Sequence, residues 1–154
     1  MNETDRRIDP GSVAFVTGAS QGLGEAIARR LAQDGWHVVL AARRQEQLEH
    51  VASEIARDGG SAEAVVLDVS KPDAIASVIN EVGKRHGWLD GLVNNAGRFA
   101  GRGILETAIE EFRKNLKVNL EAPFLTMQAA LPFMIEGGGG AIVNIGSVSG
   151  LRAT

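Results

Sequence analysis

The chain has 154 residues, 44% hydrophobic and 23% charged, the composition of one globular domain with enough apolar residues to bury a core. A formal net charge of −3 gives no electropositive excess to recruit nucleic acid or an acidic membrane surface. With no cysteine there is no disulfide, thiolate metal site or catalytic thiol; His37, His50 and His86 stand too far apart along the chain for a ligand spacing, so no metal is expected.

The opening MNETDRRIDP is too polar for a signal peptide, and no apolar run approaches the roughly 18 residues of a membrane span, so a soluble cytoplasmic protein is expected. Residues 1–11 read as a polar tail. VAFVTG at 13–18 is a short apolar run between Pro10-Gly11 and Gly18, a strand buried on both faces. Residues 22–34 place Leu23, Ile27 and Leu31 at helical spacing and stop at Asp34-Gly35. HVVLAA at 37–42 is the second strand. A helix over 44–58 follows, with Leu48, Val51 and Ile55 on one face, and AEAVVLDV at 62–69 is the third strand. Pro72 suits a first helical turn, and Ile75, Val78, Ile79 and Val82 carry that helix to Gly87. LDGLVNNAG at 89–97 is strand four, followed by a Gly- and Arg-rich loop to residue 103. A long helical pattern over 107–135 contains Pro123 and Pro132, which predict a kink or break. Gly137 to Gly140 turn the chain into strand five, AIVNIGS at 141–147.

Strands and helices alternate throughout, and the strands are continuous apolar runs. That pattern predicts right-handed βαβ units forming a parallel sheet covered on both faces, an α/β fold.

The chemistry concentrates where the first strand feeds the first helix, at TGASQGLG. Gly18 permits a tight turn, Gly22 lets the backbone approach a pyrophosphate, and Gly24 lets the helix pack against the strand, with helix N-terminal amides holding the phosphate charge. A structural glycine turn is the alternative reading of this pattern alone. TGASQGLG, the Asp68-Val69 step, NNAG at 94–97, Asn119 within KVNL, and IVNIGSVSG at 142–150 occur in order, and together they resemble the short-chain dehydrogenase/reductase family from about residue 12 onward.

The resemblance implies a Rossmann-like doubly wound sheet of order 3-2-1-4-5 in three α/β/α layers. It implies an oxidoreductase passing hydride between a nicotinamide dinucleotide and a small carbonyl or alcohol. Gly18, Gly22 and Gly24, with Ser20, Gln21 and Leu23, would form the cofactor phosphate turn. Asp68 would meet the adenine ring through its carboxylate and Val69 through its backbone; the alternative for Asp68 is a strand-end aspartate capping the next turn. Asn94 would tie strand four to its neighbours, and Asn95, Ala96 and Gly97 would lie along a ribose. Ser147 would hydrogen-bond the substrate oxygen, and Asn119 would hold a water of the proton relay.

An acid at the end of the second strand usually selects NAD by taking both ribose hydroxyls. Ala42 stands there, followed by Arg43 and Arg44, and a guanidinium without a carboxylate suits a 2′-phosphate. NADP(H) is therefore favoured over NAD(H), although both arginines could instead begin a solvated helix. Gln21 adds no positive charge. Arg98 and Arg102 could meet an acidic substrate group or simply be solvated.

In this family the proton donor is a tyrosine with a lysine four residues after it. The chain has no tyrosine, and Lys71, Lys84, Lys114 and Lys117 all precede Ser147. The expectation is a dinucleotide-binding domain over 12–154, incomplete at its C-terminus, where intact α/β domains run to roughly 250 residues. No turnover is expected from the 154 residues alone. Strand five would be an exposed edge, and Phe112, Leu116, Leu120, Phe124, Met127 and Leu131 would lack a neighbouring helix, the principal contact of a family homo-oligomer. A non-catalytic dinucleotide- or partner-binding module stands as the alternative.

Overall fold

In the computed structural model, which describes residues 11–99 and 103–147, the apolar runs form β1 (Val13–Thr17), β2 (His37–Ala42), β3 (Ser61–Val66), β4 (Gly91–Asn94) and β5 (Ala141–Asn144). They pair in parallel in the order β3-β2-β1-β4-β5. The central strand β1 is buried at every position, as a run with no polar face requires. The strands are joined by α1 (Gly22–Gln33), α2 (Gln45–Arg57), α3 (Pro72–His86), α4 (Ile109–Leu116) and α5 (Ala122–Glu136).

Two cores follow from the alternation of side chains across the sheet. On one face Val16, Val38 and Leu40 meet Ala28 of α1 and Leu48, Val51 and Ile55 of α2. On the other, Phe15, Val39 and Leu92 meet Ile75, Ile79 and Val82 of α3 and Ala130 and Met134 of α5. The expected three-layer, doubly wound arrangement is therefore present. After β1 the chain winds outward to β2 and β3, then crosses back to β4 on the other side of β1. The crevice at the C-terminal ends of β1 and β4 is the switch point where α/β sheets take ligands.

Several expectations change in detail. The third strand ends at Val66, and Asp68 and Val69 lie beyond it, although Leu67 N–H still reaches the Ala42 carbonyl at 2.8 Å. The fourth strand is confined to Gly91–Asn94. Leu23 is 58% exposed, because α1 lays Gly24, Ala28 and Ala32 on the sheet and only Ile27 and Leu31 of the expected face pack beside them. The long helix is interrupted ahead of its first proline, by a π-helical turn at Lys117–Glu121. Pro123 then falls in the first turn of α5, where its missing N–H costs nothing, and Pro132 sits inside α5 without ending it.

Separation in sequence misled on the histidines. His37 opens β2 and His86 closes α3, and the fold brings their rings to 4.9 Å between centroids. His50 remains apart and exposed on α2. Phe112, Leu116, Leu120, Phe124 and Leu131 are exposed as expected, but Met127 packs against the sheet core. Among the described residues no helix is long and apolar enough to cross a membrane. Residues 1–10 of the expected tail, Arg102 and residues 148–154 lie outside the described residues.

Candidate functional site

The site begins with a buried hydroxyl. Thr17, the last residue of β1, is 2% exposed and donates to the Val93 carbonyl at 3.3 Å. Its oxygen accepts the backbone N–H groups of Asn95 and Ala96, each at 3.0 Å. Asn95 reaches back: its amide Nδ2 donates to the carbonyls of Thr17 at 3.0 Å and Gly18 at 3.3 Å. The end of β4 thus clasps the turn after β1.

Within that turn Gly18 and Gly22 hold φ values of +69° and +60°, a region that side-chain-bearing residues disfavour. A Cβ on Gly18 would also lie 2.8 Å from Asn95 Nδ2, whereas one on Gly22 would meet nothing within 4 Å. Gly22 therefore faces open space. A Cβ on Gly24 would run into the Gly18 carbonyl, so the third glycine sets how closely α1 approaches β1. Gln21, at the N-cap of α1, makes no side-chain cap bond, and its Oε1 accepts a hydrogen bond from Arg44 instead. The first-turn amides are left for an anion.

A cleft of about 860 Å³ opens over this turn. Gly18, Ser20, Gln21, Gly22 and Leu23 line one side; Ala42, Arg43, Arg44, Asp68 and Val69 another; Asn95, Ala96, Gly97 and Arg98 a third. Gly24 lies behind the turn and is buried against β1. The wall beyond Gly97 holds Phe99, Lys114, Lys117 and Val118. Arg43, Arg44, Arg98, Lys114 and Lys117 face the cleft against the single carboxylate of Asp68, on a chain whose net charge is −3. Lys114 and Lys117 escaped the sequence reading; their spacing of three on one helix was the available signal. So did Thr17, whose role depends on contacts with residues near 95.

Asp68 accepts both the N–H (3.0 Å) and the hydroxyl (2.7 Å) of Ser70 on one carboxylate oxygen. It therefore caps the turn into α3 while also lining the cleft. Partial burial works against its ionisation, but the Ser70 hydrogen bonds and the charges of Arg43 and Lys71 outweigh this and hold its pKa below the ordinary value.

Asn94 performs the tie expected of it. Its Nδ2 donates to Asn144 Oδ1 of β5 at 2.9 Å, and its Oδ1 accepts from the buried Thr126 hydroxyl of α5 at 2.7 Å. Asn119, in the π-helical turn, pins the loop after β4: Oδ1 accepts from Arg98 N–H at 2.8 Å and Nδ2 donates to the Arg98 carbonyl at 2.7 Å. Each end of that amide retains one further hydrogen-bonding site. Arg98 itself pairs with Glu111 rather than standing free for a substrate. Ser147 lies three residues past the end of β5, exposed, and outside the residues that line the cleft.

Comparison with known proteins agrees with this geometry. The model of the short chain dehydrogenase family matches residues 12–154. An uncharacterised oxidoreductase of Staphylococcus aureus is 37% identical over 142 residues, covering 92% of this chain and 61% of the relative. Another, YxjF of Bacillus subtilis, is 42% identical over 139 residues, covering 90% and 54%. The crystal structure of a metagenomic short-chain oxidoreductase in complex with NADP superposes with a TM-score of 0.88 at 44% identity, over 93% of this chain and 65% of that one. An actinorhodin polyketide ketoreductase with NADPH gives 0.88 at 37% identity, over 94% and 56%. The chain thus spans between about half and two thirds of the length of these proteins. Sheet order, glycine turn and a family match running from residue 12 to residue 154 lead to one assignment: the chain belongs to the short chain dehydrogenase family.

Proposed function

We propose that this chain is the dinucleotide-binding part of an NADP(H)-dependent oxidoreductase acting on a small carbonyl or alcohol. The observation that carries the reading is the charge of the cleft: Glu111 neutralises part of the Arg98 and Lys114 charge, but Arg43, Arg44 and Lys117 remain against the one acid Asp68, on an acidic chain. Open space at Gly22 and the uncapped first turn of α1 fit a pyrophosphate, and the cleft is long enough to include Ala96 and Gly97 beside a ribose. Ala42 places no carboxylate at the end of β2, while Arg43 and Arg44 follow it, which favours the 2′-phosphate. Two structurally similar oxidoreductases were crystallised with NADP or NADPH.

When bound, the nicotinamide supplies or takes the hydride. Ser147 is the group proposed to hydrogen-bond the substrate oxygen, and Asn119 keeps capacity for one water while holding the loop after β4. The 154 residues hold no tyrosine to donate the proton, so binding without turnover is the reading for this stretch by itself. The exposed apolar residues of α4 and α5 suit a homo-oligomer of the whole enzyme.

Calorimetric titration of the chain with NADPH and NADH tests this. NADPH should bind about tenfold tighter or more, and Arg43→Ala should remove that preference while leaving NADH affinity alone. Equal affinities, unaffected by Arg43→Ala, would remove the basis for NADP(H). A ketone reduction rate abolished by Ser147→Ala would overturn the claim that this stretch lacks turnover.

A further inference from the structure

At the opposite ends of the strands from the cleft, three potential ligands converge from three elements. His37 is the first residue of β2, Glu63 is the third of β3, and His86 is the last of α3. The register pairs Val39 with Glu63, and His37, two residues before Val39, shares its face of the sheet, the face on which α3 packs. One ligand atom from each of the three side chains lies within 4.8 Å of the others. His86 Nε2 is 3.0 Å from Glu63 Oε1, and His37 Nε2 is 3.9 Å from the same oxygen. In a tetrahedral shell with bonds of about 2.0–2.1 Å, ligand atoms stand about 3.3 Å apart, so rotamer adjustments alone bring the three into range.

The local bonding favours ligation over an ordinary polar cluster. His37 Nδ1 is 2.7 Å from Ser61 Oγ, while Nε2 is buried without a hydrogen-bond partner. In the tautomer whose Nδ1–H donates to Ser61 Oγ, Nε2 presents a bare lone pair, the arrangement that orients metal-binding histidines. Arg85, at 2.8 Å from Glu63 Oε1, is the group a cation must displace or share with. The three ligands are between a fifth and a third exposed, open to an ion and to a water as fourth ligand.

We infer that His37, Glu63 and His86 form a binding site for a divalent transition-metal ion of the zinc type, stapling β2, β3 and α3 at the end of the sheet remote from the dinucleotide cleft. Two imidazoles and one carboxylate suit zinc and its neighbours rather than magnesium or calcium. Bound there, the ion joins segments 49 residues apart in sequence, from His37 to His86, and raises stability by mass action.

The test is titration of the 154-residue chain with zinc chloride, followed by calorimetry and by the imidazole proton resonances of its three histidines. One equivalent should bind, shifting the His37 and His86 resonances and leaving His50 unmoved. His37→Gln and His86→Gln should each weaken binding by about tenfold or more, with His50→Gln as the unchanged control. Cobalt chloride should give the visible absorption of a tetrahedral site. The inference fails if no equivalent binds, if the two variants bind as the parent does, or if His50→Gln costs as much as they do. Should either variant unfold, the resonances of the parent decide by themselves: zinc that shifts all three histidines alike, or none, overturns the site.

Discussion

Thr17 holds the candidate site together at the scale of a single oxygen. Its hydroxyl makes one donated and two accepted hydrogen bonds, joining β1 to Val93, Asn95 and Ala96. Thr17→Val keeps the shape and removes all three, leaving two N–H groups of the β4 end without their acceptor. The expected loss is about 1–3 kcal/mol in urea denaturation, with weaker NADPH binding, whereas Thr17→Ser should stay close to the parent. A Thr17→Val protein as stable as the parent would mean that water replaces the hydroxyl at that clasp. The glycines around it differ in their reasons. Gly24 is required by the carbonyl facing it, and Gly22 by its backbone angle alone.

Elements report their own electrostatics. The group formed by β2, β3 and α3 contains His37, Glu63, His86 and Arg85, and His37 is held below its usual value of 6.5, by burial first and then by His86. Below 6.5 the unfolded chain therefore binds a proton that the folded chain refuses. Stability is complete above that pH and is lost as pH falls through the folded value. Glu63 and Asp68, held below their usual 4.5 and 3.8, extend the loss in the same direction at lower pH. Urea midpoints measured in metal-free buffer from about pH 8 to about pH 5 should fall, and His37→Gln should flatten that part of the profile. A midpoint independent of pH over this range would show that His37 titrates alike in both states. The parallel α/β sheet and the glycine turn were legible from local signals, apolar runs and turn residues, and the strand order from the family resemblance that the ordered motifs carry. The histidine cluster and the Lys114–Lys117 wall were not, since each depends on where a helix ends in space. The π-helical turn was missed for a similar reason. Pro123 signalled a break, but its position at the start of α5 moved the irregular backbone to Lys117–Glu121, ahead of it.

For the molecule as a whole, several large apolar side chains are exposed among the described residues. Phe112 is 50% exposed, Leu120 66% and Phe124 58%, and Val143 on the outer strand and Ile145 beyond its end are exposed as well. A surface of this kind should bind a hydrophobic dye and make sedimentation depend on concentration. Replacing Phe112 and Leu120 together by lysine should reduce both while changing stability by no more than about 0.5 kcal/mol, because neither side chain is buried. Dye binding unchanged by that pair would place the sticky surface elsewhere. The clasp between Thr17 and Asn95 has another consequence, in the order of synthesis. A ribosome delivers the glycine turn ahead of its partners, since the amides and the side-chain nitrogen that fix it belong to residues 78 and 79 positions later. Until β4 has emerged, the newborn turn lacks its latch, so the pocket takes shape only after β1 through β4 have left the exit tunnel.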